Sequence, residues 1–383
     1  MPIQSKLPEV GTTIFTIMSK MASDYQAINL SQGYPGFNCD PNLIELVYKY
    51  MKEGKNQYAP MSGVPFLREK LVEKTKRVYD VDYDSESEVT IVSGATDAIY
   101  SAVTAIVKPG DEVILLEPAY DCYAPAIELC GGIPVYVPLN LPDFSIHWNS
   151  VKEAFSEKTR LIMVNTPHNP SGYMWTKEDL ESLAQLILDK DIYVISDEVY
   201  EHITFDGRKH LSLMTHPVLK ERTFVCGSFG KTFHVTGWKI GYCLAPEEMT
   251  KEFRKVHQFV TFSTATPLQY ALAEYLEDEN HYLGLPAFYQ KKRDLFCEGL
   301  KETELLFTPA QGSFFQQVSY GHLSKEGDFD LAVRWTKEIG VASIPISVFF
   351  KEKNDHKILR FCFAKSDDEL EKAIKIIKNS KLF

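Results

Sequence analysis

Lys231 and Asp197 are the two residues whose types and placement most suggest covalent chemistry. Lys231 lies in CGSFGKTF, a glycine-rich turn at the end of the short apolar run RTFVCGS. Asp197 closes the preceding apolar run, IYVISD, and Glu198 and Tyr200 follow it closely. Schiff-base catalysis needs a lysine amine that can lose its proton. It also needs an acid that keeps a pyridine-type ring nitrogen protonated, so that the ring can accept electrons. Tyr200, and Asn169 in the loop after RLIMVN, could each hydrogen-bond a ring hydroxyl. Ser93-Gly94-Ala95-Thr96 is a small-residue turn opening a helix. Such a turn offers free backbone N–H groups and the positive end of the helix dipole to a phosphate monoester. Arg360, in ILRFCFA, sits between apolar neighbours, and its planar guanidinium can grip a carboxylate in two places.

Each residue also has an ordinary reading. Thr96 and Asp197 could be helix N-caps, Tyr200 a half-buried core tyrosine, and Arg360 one half of a structural ion pair. Lys231 could be a solvated loop lysine. Two sharper alternatives fail on spacing or company. GKT resembles the end of a phosphate-binding P-loop, but Gly227 and Gly230 are separated by two residues where that loop needs four. Ser228-Phe-Gly-Lys231 fits the S-x-x-K pattern of penicillin-type serine hydrolases, whose S-D-N and K-T-G companions are missing.

The elements that must position these residues read as alternating strands and helices. VTIVSG, DEVILLEP, RLIMVN, IYVISD, RTFVCGS and WKIGYCLA are short apolar runs. TDAIYSAVTAIV, YDCYAPAIELCG and KEDLESLAQLILDK carry helical patterning between them. Apolar strands separated by helices predict an α/β fold with a parallel or mostly parallel sheet covered by helices on both faces. Ligands of such sheets sit outside the carboxyl ends of the strands, which is where the residues above fall. After DEVILLEP comes a further aromatic, Tyr120. The tail mixes GSFFQQVSY, VASIPIS and ILRFCFA strands with helices near 329–340 and 367–380, which predicts a smaller α+β domain. The first 38 residues, rich in turn formers (SQGYPGFN), could join the small domain or wrap the large one.

Composition narrows the function. The 383-residue chain is 44% apolar and carries a net charge of −11. An acidic chain without a basic face is a poor nucleic-acid binder. The cysteines at 39, 122, 130, 226, 243, 297 and 362 are scattered and never in a C-x-x-C pair, which argues against a disulfide framework or a zinc site. The most membrane-like window, VTIVSGATDAIYSAVTAIV, holds Asp97 and several hydroxyls and breaks at Ser93–Gly94, so no membrane span is expected. The opening run MPIQSKLPEVG lacks a secretory pattern, and a cytoplasmic enzyme is expected.

NTPHNPSG, SDEVYEH, SFGKTFHVTGWKIGY and LRFCFAK, in that order and spacing, resemble the pyridoxal-phosphate (PLP) dependent aminotransferases of fold type I, class I. The resemblance covers nearly the whole chain and implies a mostly parallel seven-stranded sheet sandwiched by helices, in a large domain over 39–285, with 1–38 and 286–383 forming a small domain. LPEVGTTIFTIMSKMA, EPAYDCY and HQFVTFSTATP resemble the methionine and kynurenine–glutamine branch in particular. By this resemblance Lys231 holds the cofactor covalently and shuttles a proton, and Asp197 pairs with the ring nitrogen. Asn169 and Tyr200 contact the ring hydroxyl, and Tyr120 stacks on the ring. Gly94, Ala95, Thr96, Ser228 and Lys239 hold the phosphate. Arg360 binds the substrate carboxylate, with Asn169 and the Gly33 backbone beside it. Tyr58 and Phe262 reach into the neighbouring subunit's site, which implies a homodimer. Two positions depart from the pattern: Gly230, where relatives often carry Ser, and Lys239, where the wider class often uses Arg.

The implied reaction moves an amino group from an amino acid to a 2-oxo acid in two half-reactions. Phe15, Tyr34, Tyr58, Tyr120, Phe262 and Phe349 could line an apolar pocket for methionine, aromatic amino acids, glutamine or kynurenine. No second arginine stands out for a side-chain carboxylate. A PLP-dependent β-lyase acting on cysteine S-conjugates or cystathionine would use the same residues. A non-catalytic PLP-binding regulator would need a DNA-binding segment, for which the chain leaves no room.

Overall fold

The fold is described from a computed structural model, over residues 3–380. Twelve strands form three sheets. They are β1 (Ile28–Asn29), β2 (Val89–Val92), β3 (Glu112–Glu117), β4 (Ile133–Pro138), β5 (Thr159–Asn165), β6 (Tyr193–Asp197), β7 (Thr223–Ser228), β8 (Gly241–Leu244), β9 (Phe315–Ser319), β10 (Val341–Ala342), β11 (Ile344–Pro345) and β12 (Ile358–Cys362).

The large sheet has seven strands in the order β2-β8-β7-β6-β5-β3-β4. All neighbours run parallel except at β8, which is antiparallel to both β2 and β7. The fold is the α/β arrangement expected. Its central strands are buried along nearly their whole length, because helices cover both faces. One apolar cluster packs on one face around Ile91, Ile114, Ile162 and Val194. The other packs around Val92, Val113, Leu161 and Ile195. This alternation is the period-two signature of a strand with both sides covered.

Six of the seven strands match the apolar runs. The seventh, β4, lies at the sheet edge, and its Pro134 and Pro138 remove two donors that an outer neighbour would need. WKIGYCLA is a strand only from Gly241. Trp238 lies in a 3₁₀ turn, and Lys239 takes a left-handed φ of 55°.

The smaller sheet is antiparallel, ordered β11-β12-β9. The N-terminal segment joins this part of the molecule. β1 pairs in parallel with β10, and the Cys362 N–H donates to the Leu30 carbonyl at 2.7 Å. Helix α1 (Ile14–Asp24) is capped by Thr13 and packs beside β10. Helices α2 (Pro41–Lys52) and α3 (Pro65–Tyr79) precede β2, and α4 (Ala95–Ile106) follows it. Residues 266–303 form three helices: Thr266–Tyr275, Asn280–Leu283 and Leu285–Leu300. The helix near 329–340 ends in a π turn over Trp335–Ile339.

Candidate active site

The carboxyl ends of β2, β5, β6 and β7 open into one cavity of about 330 Å³, of the size usual for small-molecule sites. Lys231, Asp197, Tyr200, Asn169, Tyr120, Gly94, Ala95, Thr96, Ser228, Lys239, Gly33, Phe15 and Arg360 all line it. Most come from the carboxyl ends of β2, β3, β5, β6 and β7 and from the N-terminal segment, whereas Lys239 precedes β8 and Arg360 lies within β12, so the topology assembles them rather than local sequence.

Lys231 stands in a single helical turn directly after β7. Its Nζ donates to the Gly33 carbonyl at 2.6 Å and lies 5.6 Å from the Tyr200 ring centroid. Burial pushes the ammonium down to about 8, so a useful fraction is a free amine near neutral pH. Asp197 ends β6. Burial pushes its carboxyl up to about 6, against the opposing pull of the Tyr123 hydroxyl, the Val199 N–H and Lys231. The Tyr123 hydroxyl donates to Asp197 Oδ2 at 2.6 Å. Tyr123 is a functional candidate that the sequence reading missed. Its signal was the spacing Tyr120-x-x-Tyr123 at the start of a helix, which turns both rings toward one place.

No side chain caps α4. Gly94 does so with a φ of 78°. The N-cap role considered for Thr96 is therefore not realised, and the first-turn N–H groups of Ala95 and Thr96 have no side-chain acceptor. A Cβ on Gly94 would stand 3.1 Å from Lys239 Nζ, so the lysine ammonium lies against the turn. Helix start, Ser228 hydroxyl and Lys239 together make a compact anion site.

Arg360 is fully buried in β12. Its Nη1 donates to Asn169 Oδ1 at 2.8 Å and its Nη2 to the Ser31 carbonyl at 2.9 Å. Its Nε has no partner among the described residues. The guanidinium stacks 4.0 Å from the Phe315 ring, with Phe349 and Phe15 at 5.3 and 5.4 Å. The ion pair offered as its ordinary role is absent from the described ion pairs. A buried cation that lines a cavity and has no carboxylate partner among the described residues suits an incoming anion. Phe315, Gln32, Thr236 and Ile240 also line the cavity and were not anticipated.

Tyr34, Tyr58 and Phe262 do not line it. Tyr34 is half-exposed, and its carbonyl accepts from Lys365 Nζ. Tyr58 is 83% exposed and meets Phe262 edge-on, with centroids 5.3 Å apart. Phe349 reaches Arg360 and Phe15 from an adjoining groove.

The model of the family described as aminotransferase class I and II matches residues 25–377. This chain is a class I/II aminotransferase. It is 49% identical to the methionine aminotransferase of Escherichia coli K12 over 96% of this chain and 95% of that one. It is 33% identical to human kynurenine–oxoglutarate transaminase 3 over 97% and 89% of the two chains. Among solved structures, Escherichia coli YbdL, identified as a methionine aminotransferase, superposes with a TM-score of 0.97. The identity is 48%, with 99% of this chain and all of that one covered. The N-succinyldiaminopimelate aminotransferase of Mycobacterium tuberculosis gives a TM-score of 0.94 at 33% identity, with 98% and 99% of the two chains covered.

Aminotransferases of this class, this one included, depend on PLP. The cavity fits that molecule on its own chemistry. It holds one half-buried amine, a buried carboxylate in the same space, and a helix start without a side-chain cap with a lysine beside it. Among the described residues no helix is long and apolar enough to cross a membrane, and no group of three acidic, His or Cys side chains could hold a metal ion.

Proposed function

We propose that this aminotransferase transfers the amino group of methionine or an aromatic amino acid, with glutamine and kynurenine as further donors, to a 2-oxo acid in a ping-pong cycle. The observation that carries this reading is the Lys231 amine. It is half-buried, lowered toward neutral pH, and shares one cavity with Asp197 and with an Arg360 that has a donor to spare.

Lys231 would hold the cofactor, and Ala95, Thr96, Ser228 and Lys239 its phosphate. Asp197 would pair with the ring nitrogen, Asn169 and Tyr200 with the ring hydroxyl, and Tyr120 with the ring face. The cofactor, when bound, supplies an electron sink for bond-breaking at the substrate α-carbon. Arg360 grips the substrate carboxylate in two places and fixes the α-carbon over Lys231. Lys231 Nζ, when its amine is free, would act as the general base that takes the α-proton and holds it for return. Asp197 stays anionic throughout, and the Tyr123 hydroxyl helps keep it so. Burial of the amine excludes water that would compete for the proton.

Phe15, Tyr120 and Phe349 form an apolar wall beside Arg360. That wall favours thioether and aromatic side chains, and the methionine aminotransferase relative supports the same choice. The lining contains no second arginine, so dicarboxylic donors have no partner for their distal charge. The enzyme is read as a homodimer because Ile44, Tyr48, Met51, Tyr58, Phe259, Val260 and Phe262 leave large apolar surfaces in water. Tyr58 and Phe262 would then complete the partner's pocket. The division into 39–285 and 1–38 with 286–383 is supported by the pairing of β1 with β10. A cytoplasmic location is supported by seven free cysteines. A panel of amino donors at fixed acceptor tests the substrate reading. Methionine and phenylalanine should exceed aspartate in kcat/KM by about two-hundredfold or more, since an unpaired buried charge costs about 3–5 kcal/mol. A preference for aspartate would overturn it.

A further inference from the structure

Behind the cavity lies a second buried polar group that the reaction does not touch. Along the turn after β6, Asp197, Val199 and Tyr200 line the cavity, whereas Glu198 and Glu201 bond to groups outside it. Glu201 Oε1 accepts from Lys74 Nζ at 2.5 Å and from the Tyr242 hydroxyl. Its Oε2 accepts from the Tyr79 hydroxyl at 2.5 Å. Lys74 Nζ also reaches the Tyr242 oxygen at 3.1 Å. Lys74, Glu201 and Tyr242 are each more than nine-tenths buried. They stand on three different pieces of chain: α3, the turn after β6, and β8.

A fourth piece is tied in by an absence. Tyr242 lies directly opposite Gly227 across the β7–β8 pair. A Cβ on Gly227 would run into the Tyr242 ring, so glycine there is what lets the hydroxyl pass to Glu201. Gly227 is followed by Ser228 and then Lys231, and Tyr242 is preceded by Gly241, which packs on Ala95 N. The hub therefore touches every segment that carries the amine, the phosphate site and Tyr200.

Stability alone is a poor reason for such a hub. A buried ion pair replaced by apolar side chains of similar volume is often no less stable, whereas a fixed register is something only directed bonds supply. The Tyr200 ring meets Phe314 edge-on at 5.0 Å, and apolar ring contacts permit sliding. Glu201 is the adjacent residue and is pinned at both carboxylate oxygens.

We propose that Glu201, held by Lys74 and Tyr242, is a positioning residue that sets Tyr200 against the Lys231 amine. This rests on the reading that Tyr200 donates to the ring hydroxyl of the cofactor. A donor there favours the ionised ring oxygen, so a displaced Tyr200 moves the pH midpoint of the bound-cofactor absorbance upward.

The test uses the PLP-loaded enzyme, with Tyr242→Phe and the double substitution Lys74→Met, Glu201→Leu. The second removes the pair without stranding a charge. Thermal midpoint, kcat and KM for methionine, and the absorbance midpoint are measured for each. The hub predicts a kcat lowered about tenfold in the double variant and less in Tyr242→Phe, as expected for a misplaced group. KM should hold nearly constant, and the absorbance midpoint should rise in both. Wild-type kcat and absorbance midpoint in both variants, with only the melting temperature lowered, would overturn it. If the double variant does not fold, Tyr242→Phe decides alone by the same two readings. Tyr200→Phe run alongside separates the claims. No rise in its midpoint sinks the role given to Tyr200, and a rise there without one in the hub variants sinks the hub only.

Discussion

Replacing Tyr123 by phenylalanine should weaken cofactor binding near neutral pH and leave it nearly unchanged at pH 9. Asp197 is buried at the end of β6, and burial already pushes its carboxyl up to about 6. The Tyr123 hydroxyl, 2.6 Å from Oδ2, pulls the other way. A hydrogen bond to a charged group contributes about 1.5–3 kcal/mol. At 1.36 kcal/mol per pKa unit that is about 1–2 units. Without the hydroxyl the carboxyl should titrate at about 7–8, counting up from the wild-type value. The sign follows from the anion being the form that pairs with a protonated ring nitrogen. At pH 7 the wild type is about nine-tenths ionised and the variant about one-tenth to one-half, so affinity for PLP should fall roughly two- to tenfold. By pH 9 both are ionised and the difference should vanish. The assay is a fluorescence titration of apoenzyme with PLP from pH 6 to 9, expressed as the variant to wild-type ratio of Kd. That ratio cancels the titrations of Lys231 and of the phosphate, which both proteins share. A ratio that stays flat across the range would refute the coupling between Tyr123 and Asp197.

Three further outcomes are expected. Arg360→Lys keeps a charge but loses the fork, so KM for methionine should rise about tenfold to a hundredfold, with the cofactor spectrum unchanged; an unaltered KM would remove Arg360 from the carboxylate site. Gly94→Ala imposes a side chain at a φ of 78°, where it would crowd Lys239. PLP affinity should drop, and a phosphate-free analogue, pyridoxal, should bind equally well to variant and wild type; equal loss for both ligands would contradict the phosphate assignment. Light scattering should give twice the 43.6 kDa chain mass, and Phe259→Glu, at a residue 85% exposed in the single chain, should shift the population toward monomer.

The site was more legible in the sequence than the frame around it, for a physical reason. Residues that end apolar strands in an α/β sheet must converge, so Lys231, Asp197, Asn169 and the turn at Gly94 could be placed together from strand ends alone. Arg360 was legible as a cation between apolar neighbours. Tyr123 and Phe315 were not, because their roles arise from contacts across the fold that no local pattern encodes. The edge strand β4 escaped notice since its prolines and mixed polarity suit an outer position and weaken the apolar signal. Glu201 and Lys74 lie 127 residues apart in sequence. Each looks like an ordinary surface charge until α3 is packed against the turn after β6. Tyr58 and Phe262 read as pocket residues, yet in the single chain they stand in solvent, which a second subunit would have to explain.

The most direct measurement is the visible spectrum of the purified protein with PLP, before and after methionine is added, in wild type and in Lys231→Ala. The account predicts a yellow wild type whose long-wavelength band falls as methionine is added. It predicts a variant without that lysine-dependent band and without turnover. A Lys231→Ala protein that shows the same band and turns over methionine at the wild-type rate would contradict it.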